Sequence, residues 1–265
     1  MDLQIICRQT CDAAEAAGVF IQKEREQFSF DQVEIKSFNQ LVSYVDKTSE
    51  EMLVSALSKI LPEAGFITEE KTISTDEKEW MWVIDPLDGT TNFIHDLPVY
   101  SVSIGLLQNG KPKLGVVYEP NRKEMFYAWK DGGAYLNGKP IRVKQNNEIA
   151  KSLMATGFPY YDFKIMPQYL ETLSELMKTS QGMRRMGSAA VDLAYTACGR
   201  FDGFFEYGLS PWDVAAGIII IEEAGGIVKD FKGGDDMIFG RSILACSNAI
   251  YPEFSDVIKR NFHSF

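Results

Sequence analysis

Two aspartates, Asp85 and Asp88, stand three positions apart in the stretch VIDPLDGTTNFIH, at the end of an apolar run. The apolar residues 81–84 predict a buried strand. Pro86 predicts that the chain leaves the sheet there, because proline cannot continue a central ladder. The Gly-Thr-Thr-Asn of residues 89–92 predicts a tight turn at the glycine and a helix N-cap among the polar residues after it. Both carboxylates should therefore lie beside backbone N–H groups at a helix start.

Two roles are open to this pair of carboxylates. In the first, Asp85 forms a turn and Asp88 is a loop charge, which is the commoner outcome for an isolated motif of this kind. In the second, they bind a cation, because two close carboxylates repel each other unless a positive charge lies between them. Their oxygen atoms suit Mg²⁺, which often shares its coordination with a substrate phosphate. The N–H groups at a helix start would bind that phosphate.

Three further segments place carboxylates at the ends of predicted elements. Glu69 and Glu70 follow the apolar run GFIT, and Asp46 lies near a helix start. Asp213 falls in the first turn of a helix whose Ser-Pro beginning is typical of an N-cap and a first helical position. Each has an ordinary explanation, as a solvated strand end or as a charge favoured by the helix dipole. Because all of them end elements, as Asp85 does, a shared metal site is the preferred interpretation.

Composition and charge narrow the classes of function. The 265 residues, 45% of them hydrophobic, suffice for one large domain or two closely packed subdomains. With 27 basic and 37 acidic residues the net charge is −10, which disfavours a nucleic-acid partner. Neither of the two histidines, His95 and His263, has a recognisable nucleophile beside it, which disfavours a Ser-His-Asp hydrolase. The cysteines form no CxxC pair, and we find no signal peptide or membrane-spanning run, so we expect a soluble cytoplasmic protein without membrane contact.

Hydrophobic periodicity predicts a mixed α/β chain, α+β in character, built in layers. Helices are predicted over residues 3–24, 44–60, 165–179, 187–199, 211–224 and 251–262. Strands are predicted over residues 65–68, 80–85, 100–107, 113–120, 124–130, 152–158, 201–207, 227–230 and 242–248. The third to fifth strands form a meander with a turn at Asn109-Gly110. The single domain, 1–265, divides near residues 144–152 into subdomains of about 1–146 and 147–265.

The segments GFITEEK, WVIDPLDGTTNF and PWDVAAGIIIIEEAGG resemble, in order and spacing, the motifs of the inositol monophosphatase family. Members of that family are Mg²⁺-dependent, lithium-sensitive phosphatases of small molecules. The haloacid-dehalogenase phosphatases use Asp-x-Asp-Gly-Thr, but here two residues separate the aspartates, which counts against that class. Gln40 and Ser43 depart from the first acidic motif of the family, whereas Asp46 is kept. The resemblance implies layers in the order αβαβα, a homodimer and two or three Mg²⁺ ions per site.

The resemblance also implies the metal ligands. Glu69, Asp85 and the backbone carbonyl of Leu87 would hold the first, activating Mg²⁺, and Asp85, Asp88 and Asp213 would hold the second. Glu69 would also reach a third, weaker ion through water, so it counts among the catalytic residues. Two metal ions about 3.5–4 Å apart would clamp the attacking and leaving oxygens. One would activate water for in-line attack at phosphorus and the other would stabilise the leaving alkoxide, without a covalent intermediate.

The remaining implied roles concern water and substrate. Asp46 and Thr90 would orient or deprotonate the attacking water, and Glu206 would accept hydrogen bonds from ring hydroxyls. The implied substrate-binding residues are Asp88, Gly89, Thr90, Ser188, Ala189, Glu206 and Asp213. These roles predict a phosphomonoester hydrolase acting on inositol monophosphate or a related polyol or sugar phosphate. A 3′(2′),5′-bisphosphate nucleotidase, a fructose-1,6-bisphosphatase, a histidinol phosphatase and a metal- or phosphate-binding protein without turnover stay open as alternatives.

Overall fold

Most of the regular structure follows the hydrophobic periodicity of the sequence. The computed structural model of the chain describes residues 1–29, 33–37, 40–74, 76–160 and 162–262. Within these ranges the helices are α1 (Leu3–Gln27), α2 (Tyr44–Ile60), α3 (Thr90–Ile94), α4 (Met166–Thr179), α5 (Ala189–Ala197), α6 (Pro211–Glu223) and α7 (Tyr251–Asn261). None of these described helices is long and apolar enough to cross a membrane.

The strands come in three groups. A hairpin is formed by β1 (Val33–Ser37) and β2 (Gln40–Ser43). The first half of the chain continues with β3 (Gly65–Thr68), β4 (Trp80–Asp88), β5 (Ser101–Gln108), β6 (Lys111–Glu119), β7 (Glu124–Trp129), β8 (Gly133–Leu136) and β9 (Lys139–Pro140). The second half contains β10 (Leu153–Thr156), β11 (Gly182–Arg184), β12 (Gly203–Tyr207), β13 (Gly226–Lys229) and β14 (Ser242–Ser247). The predicted strands do not include β1, β2, β8, β9 or β11, because such short runs give a weak periodic signal.

The larger sheet has seven strands in the order β3-β4-β5-β6-β7-β8-β9. β3 is parallel to β4, and every later pair is antiparallel. The predicted turn between β5 and β6 is confirmed at Asn109 and Gly110, whose φ angles are 49° and 75°. A two-residue hairpin of this kind needs left-handed backbone at both positions, which asparagine and glycine tolerate best. The predicted meander is therefore present.

The smaller sheet has five strands in the order β11-β10-β12-β14-β13. β10 is parallel to both of its neighbours, and β14 is antiparallel to both of its own. The two sheets and the helices alternate in five layers. α1 and α2 cover one face of the larger sheet, α5 and α6 lie between the sheets, and α4 and α7 cover the far face of the smaller sheet. The predicted αβαβα architecture is therefore confirmed.

Three apolar clusters fill the interfaces between these layers. One joins α1 and α2 to the larger sheet and contains Trp82 and Ile104. The middle cluster surrounds α5 and α6 and draws residues from both halves of the chain, such as Val117 and Phe204. The third lies beneath α4 and α7 and contains Phe254. The division into subdomains of about 1–146 and 147–265 stays a prediction.

Helix α6 approaches the larger sheet closely at a pair of glycines. Gly105 of β5 and Gly115 of β6 are register partners, directly opposite each other. A Cβ on Gly115 would lie 2.4 Å from the carbonyl oxygen of Ala216, and one on Gly105 would lie 2.8 Å from the Cβ of Ala215. Glycine is therefore required where the helix and the sheet meet. This contact fixes the position of α6, whose first turn carries Asp213.

The end of β4 differs from the prediction made from the sequence. The strand continues past Pro86 as far as Asp88. Asp85 pairs with Ser103 and Asp88 with Ser101, so three steps along β4 oppose two steps along β5. Such a β-bulge leaves one residue out of the ladder, which accommodates a proline that has no N–H to donate. The prediction that the chain leaves the sheet at Pro86 is therefore wrong.

We expect Gly115→Ala to lower the free energy of unfolding by about 1–3 kcal/mol, the usual range for overpacking a core. The new methyl group would meet the backbone of α6, which cannot move aside as a side chain can. Gly182→Ala in β11 is the control, because the atoms nearest to a Cβ there are 3.5 Å away. Denaturant unfolding of the two variants measures the difference. Equal stabilities would contradict the close contact between α6 and the sheet.

Candidate metal centre

The bulge in β4 brings Asp85 and Asp88 to the same side of the sheet. In a regular strand, residues three positions apart point to opposite faces. Their partners Ser103 and Ser101 are two positions apart on β5 and so share one face. The extra residue of the bulge restores the same relation for the two aspartates. The bulge is thus what allows two aspartates three positions apart to converge.

Asp213 reaches the same place from the start of α6. The backbone N–H of Ser210 donates to its Oδ2 at 2.6 Å, and Pro211 is the first residue of the helix, as predicted. One carboxylate oxygen from each of Asp85, Asp88 and Asp213 lies within 4.8 Å of the other two. The structure therefore brings together three of the predicted ligands from segments that are far apart in the chain.

Burial and mutual repulsion raise the pKa of these carboxyls. For Asp85, burial is the largest cause, and the charges of Glu69, Asp88 and Asp213 raise its pKa further, well above the ordinary value. Burial and the charge of Asp88 likewise raise the pKa of Asp213, against the N–H of Ser210. Burial also raises the pKa of Asp88. A divalent cation among these hard oxygen donors would remove the repulsion, so the residues present fit a metal ion.

Glu69 and Leu87, the other implied ligands of the first ion, lie on either side of Asp85. Glu69 directly follows β3, which is parallel to β4, and its N–H donates to the carbonyl of Ile84 at 3.3 Å. Leu87 lies in the bulge, where its N–H donates to Oδ1 of Asp85 at 3.0 Å. Both residues are therefore at the edge of the sheet where the aspartates converge.

Asp46, in the first turn of α2, faces the turn that follows β4 and contains Thr90. Its Oδ2 accepts hydrogen bonds from the N–H and the hydroxyl of Ser43 at 2.8 and 2.7 Å. Its Oδ1 accepts from the hydroxyl of Thr90 at 2.9 Å, and that hydroxyl lies 3.1 Å from the carbonyl oxygen of Leu87. Burial raises the pKa of Asp46 against these hydrogen bonds. Ser43 thus holds Asp46 although it departs from the family pattern; the side chain of Gln40 lies outside the described residues.

The short helix α3 begins differently from the prediction. Gly89 is its N-cap, with a φ of 101°, and no side chain caps the helix. A Cβ on Gly89 would lie 3.1 Å from the carbonyl oxygen of Val99. The chain leaves the strand through a left-handed turn that glycine adopts without penalty, so the prediction of a cap among the polar residues after it is wrong. Asn92 instead donates its amide to the Val99 carbonyl at 2.7 Å.

The start of α5 lies directly behind Asp88. Oδ2 of Asp88 accepts hydrogen bonds from the hydroxyl of Ser188 at 2.6 Å and from the N–H of Ala190 at 2.7 Å. Ser188 is the N-cap of α5 and also accepts from the N–H of Val191 at 3.2 Å. Ser188 and Ala189, both implied to bind substrate, are buried. The contact that the structure shows for Ser188 is therefore with a predicted metal ligand.

Glu206, at the end of β12, occupies the side of the site away from β3. Its carboxyl lies against Gly157, where a Cβ would be only 2.0 Å from the carboxyl carbon. Burial raises the pKa of Glu206 to about 8; the charge of Arg185 opposes this rise and that of Asp88 adds to it. A side chain at position 157 would therefore displace this carboxyl, which lies in the field of Asp88.

Two residues beside Glu206 are not among the predicted site residues. Asp192 of α5 is 1% exposed, and its Oδ1 has no hydrogen-bond partner among the described residues. Burial raises its pKa well above the ordinary value, with Glu206 and Asp88 adding to the rise and Arg185 opposing it. The guanidinium of Arg185 lies 5.3 Å from the ring centre of Phe158. A charge inside the apolar helix AAVDLAYTA could have revealed Asp192, whereas Arg185 has no local signal.

Comparison with known proteins identifies the family. The family model described as "Inositol monophosphatase family" matches residues 2–261. The chain belongs to the inositol monophosphatase family. A relative named Nus factor SuhB, from Pasteurella multocida, is 40% identical over 257 residues, which are 94% of this chain and 96% of the relative. A relative named Inositol-1-monophosphatase, from Mesorhizobium japonicum, is 37% identical over 249 residues, 94% of each chain.

Solved structures agree with this assignment. The inositol monophosphatase from Anabaena aligns over 100% of both chains with a TM-score of 0.87 and 38% identity. The extragenic suppressor protein suhB from Bartonella henselae aligns over 96% of this chain and 98% of its own, with a TM-score of 0.91 and 37% identity. This member of the inositol monophosphatase family is a phosphoric monoester hydrolase. Of its two histidines, His95 is the exposed C-cap of α3 and His263 lies outside the described residues.

We expect the metal-free phosphatase to lose stability as the pH rises. A carboxyl whose pKa is raised by folding binds its proton more tightly in the folded state. Its stabilising contribution is therefore full at low pH and is lost as the pH rises from the unfolded pKa, about 4.3 for glutamate. For Glu206 the pH range over which this contribution is lost ends at about 8. The aspartates whose pKa is raised act in the same direction. In thermal unfolding experiments with a chelator present, the midpoint temperature should fall as the pH is raised from about 5 to about 8.

Two variants and one addition separate the causes of that trend. Glu206→Gln should reduce the fall of the midpoint, because it removes one of the raised groups. Glu51→Gln is the control, since Glu51 is exposed on α2. Mg²⁺ should raise the midpoint most at the high end of the range, where the carboxylates are ionised. A midpoint that rises with pH in chelator would contradict the raised pKa values.

Proposed function

We propose that this phosphatase hydrolyses the phosphate ester of inositol or a related polyol, with Mg²⁺ bound at the carboxylate cluster. The observation that carries the proposal is the convergence of Asp85, Asp88 and Asp213, with an oxygen of each within 4.8 Å of the others. A phosphate dianion is repelled by such a cluster unless cations neutralise it. The family, the fold and the acidic cluster support the same chemistry.

The proposed ligand sets follow the residues around the bulge. Glu69, Asp85 and the carbonyl oxygen of Leu87 would hold one Mg²⁺, and Asp85, Asp88 and Asp213 would hold a second. Glu69 would contact a third ion through water. When bound, such ions lower the pKa of water and stabilise negative charge on a leaving oxygen. Asp85 would be shared by the first two ions, a role that its burial and the number of carboxylates that act on it support.

Thr90 and Asp46 are the proposed proton acceptors for the attacking water. The hydroxyl of Thr90 donates to Oδ1 of Asp46, so its oxygen is left to accept a proton from water while its own proton moves to the carboxylate. Two donors from Ser43 hold Asp46 in place. The N–H groups of Gly89 and Thr90 would bind the phosphate, because a left-handed residue followed by a helical one directs successive N–H groups to one side.

The substrate side favours hydroxyl groups over a second phosphate. Glu206 and Asp192 place two carboxyls there, and Arg185 is the cation that acts on both of them. A carboxyl group, ionised or not, accepts hydrogen bonds from ring hydroxyls, whereas it offers no positive charge to a second phosphate. This charge distribution supports inositol monophosphate or a related polyol phosphate over the two bisphosphate substrates. The amine of histidinol phosphate is compatible with it, so the substrate panel below includes that compound.

The relatives carry two different names, Nus factor SuhB and Inositol-1-monophosphatase, so the names alone do not select one role for this chain. The two kinds of relative are about equally identical to it. The hydrogen bond from Thr90 to Asp46 favours turnover, because a protein that only binds metal or phosphate has no need of a proton acceptor. A homodimer, sensitivity to lithium, a cytoplasmic location and the absence of a nucleic-acid partner stay predictions.

We expect Asp85→Asn to abolish phosphate release from inositol 1-phosphate in Mg²⁺. Residues one contact removed from a metal cost about 10- to 100-fold when changed, so the shared ligand should cost at least that much. Asp256→Asn makes the same chemical change at an exposed position on α7 and should keep full activity. Calorimetric titration with Mg²⁺ accompanies the assay. An Asp85→Asn enzyme with normal turnover defeats the proposed metal site, whereas tight Mg²⁺ binding without turnover in the unchanged protein supports the non-catalytic alternative.

We expect Glu206→Gln to raise the KM for inositol 1-phosphate by about tenfold or more, the range for losing a hydrogen bond to a charged group. Turnover of p-nitrophenyl phosphate, which offers no hydroxyls, should change little. A panel of inositol 1-phosphate, histidinol phosphate, fructose 1,6-bisphosphate and 3′-phosphoadenosine 5′-phosphate ranks the substrates. A bisphosphate with the highest kcat/KM would overturn the polyol assignment.

A further inference from the structure

A second carboxylate of α2, Glu50, lies one helical turn after Asp46 and on the same face of the helix. Its side chain is completely buried. Neither the resemblance nor the acidic cluster gives it a role. Residues four positions apart on a helix are neighbours, so α2 directs two buried carboxylates towards the edge of the larger sheet that carries the metal centre.

Three donors converge on the Glu50 carboxylate, all from the loop that follows β3. Oε2 accepts a hydrogen bond from the N–H of Glu70 at 2.7 Å. Oε1 accepts from the N–H of Thr72 at 2.8 Å and from the hydroxyl of Thr72 at 2.7 Å. These distances are those of charge-assisted hydrogen bonds. The loop thus turns its backbone donors inward, around a carboxylate that the helix supplies.

The backbone of this loop is constrained on both sides of Glu69. Before it, the Glu69 N–H donates to the carbonyl of Ile84 and extends the pairing of β3 with β4. After it, Lys71 has a φ of 56°, a left-handed conformation that non-glycine residues adopt only at a cost. The two N–H groups that bind Glu50 flank this left-handed residue. The Glu50 carboxylate therefore accepts hydrogen bonds on both sides of the left-handed residue.

We propose that Glu50 is a positioning residue that fixes the loop of residues 69–72 and thereby places the Glu69 carboxylate at the metal centre. The inference rests on the proposed metal site. Helix α2 then carries both connections to the centre, through Asp46 to Thr90 and through Glu50 to the loop. Partners that orient a ligand in this way are changed at a cost of about 10- to 100-fold in metal affinity.

Glu50→Gln is the sharpest variant, because it keeps the shape of the side chain. An amide can accept from Thr72 through its oxygen, but it then presents an NH₂ group to the N–H of Glu70, next to Glu69. Mn²⁺ titration monitored by electron paramagnetic resonance should show affinity falling by about 10- to 100-fold. The Mg²⁺ concentration for half-maximal activity should rise, while kcat at saturating Mg²⁺ is largely kept. Amide hydrogen exchange in peptides covering residues 69–74 should accelerate in the metal-free protein.

Glu51→Gln is the matched control, since it removes the same charge from the adjacent exposed position of α2. Its Mn²⁺ affinity should stay within about twofold of the unchanged protein. Thr72→Val removes only the hydroxyl contact and should give a smaller loss than Glu50→Gln, and it serves if Glu50→Gln does not fold. Unchanged Mn²⁺ affinity in Glu50→Gln overturns the proposal, as does unchanged affinity in Thr72→Val if that is the variant that folds. Because Mn²⁺ binding needs no turnover, these outcomes do not depend on the substrate.

Discussion

Carboxylates held close together, one buried and two half-buried, are the constraint on which this site depends. Desolvation and then the repulsion between Asp85, Asp88 and Asp213, whose oxygens lie within 4.8 Å of one another, raise the pKa of Asp85 and Asp213, so the ionised groups oppose folding of the metal-free chain. Each carboxylate is held by a donor from a different part of the fold: the N–H of Leu87, the hydroxyl of Ser188 and the N–H of Ser210. None of these donors carries a charge. They orient the carboxylates without neutralising them. The charges of Arg185 and Arg241 lower the pKa of Asp88 and of Asp213 but leave both raised, so bound cations would complete the charge compensation.

Helix α6 links this constraint to the packing of the whole chain. Its residues 214–221 are buried between the two sheets, and its backbone touches the larger sheet at Gly105 and Gly115. The position of Asp213 at its start is therefore set by the core rather than by surface contacts. A closely packed interior transmits a displacement instead of absorbing it. The same contacts therefore determine both the stability of the fold and the position of Asp213. A substitution that moves α6 away from the larger sheet should alter both.

Much of the fold can be predicted from the sequence because it depends on local backbone preferences. The remainder could not be predicted because it depends on how distant strands pair. The turn at residues 109–110 and the start of α6 at Ser210 depend on a few adjacent residues whose backbone preferences are strong. The bulge at Pro86 depends on how β4 pairs with β5, which no local pattern records. The carboxylates could be named in advance because each one is close to the start or the end of an element. Their distances could not, and Arg185 was missed because its contacts come from remote segments.

Helix α5 connects the two ends of the site. Its first turn donates two hydrogen bonds to Asp88, and one turn later it carries Asp192, whose pKa is raised by burial and then by the charges of Glu206 and Asp88. The same helix therefore supports a predicted metal ligand and a carboxyl that lies in the field of Glu206. A substitution that rotates α5 to suit another substrate would also draw Asp88 away from Asp85. If the proposed metal site and substrate side are correct, we expect substrate preference to depend on metal geometry as well as on Glu206.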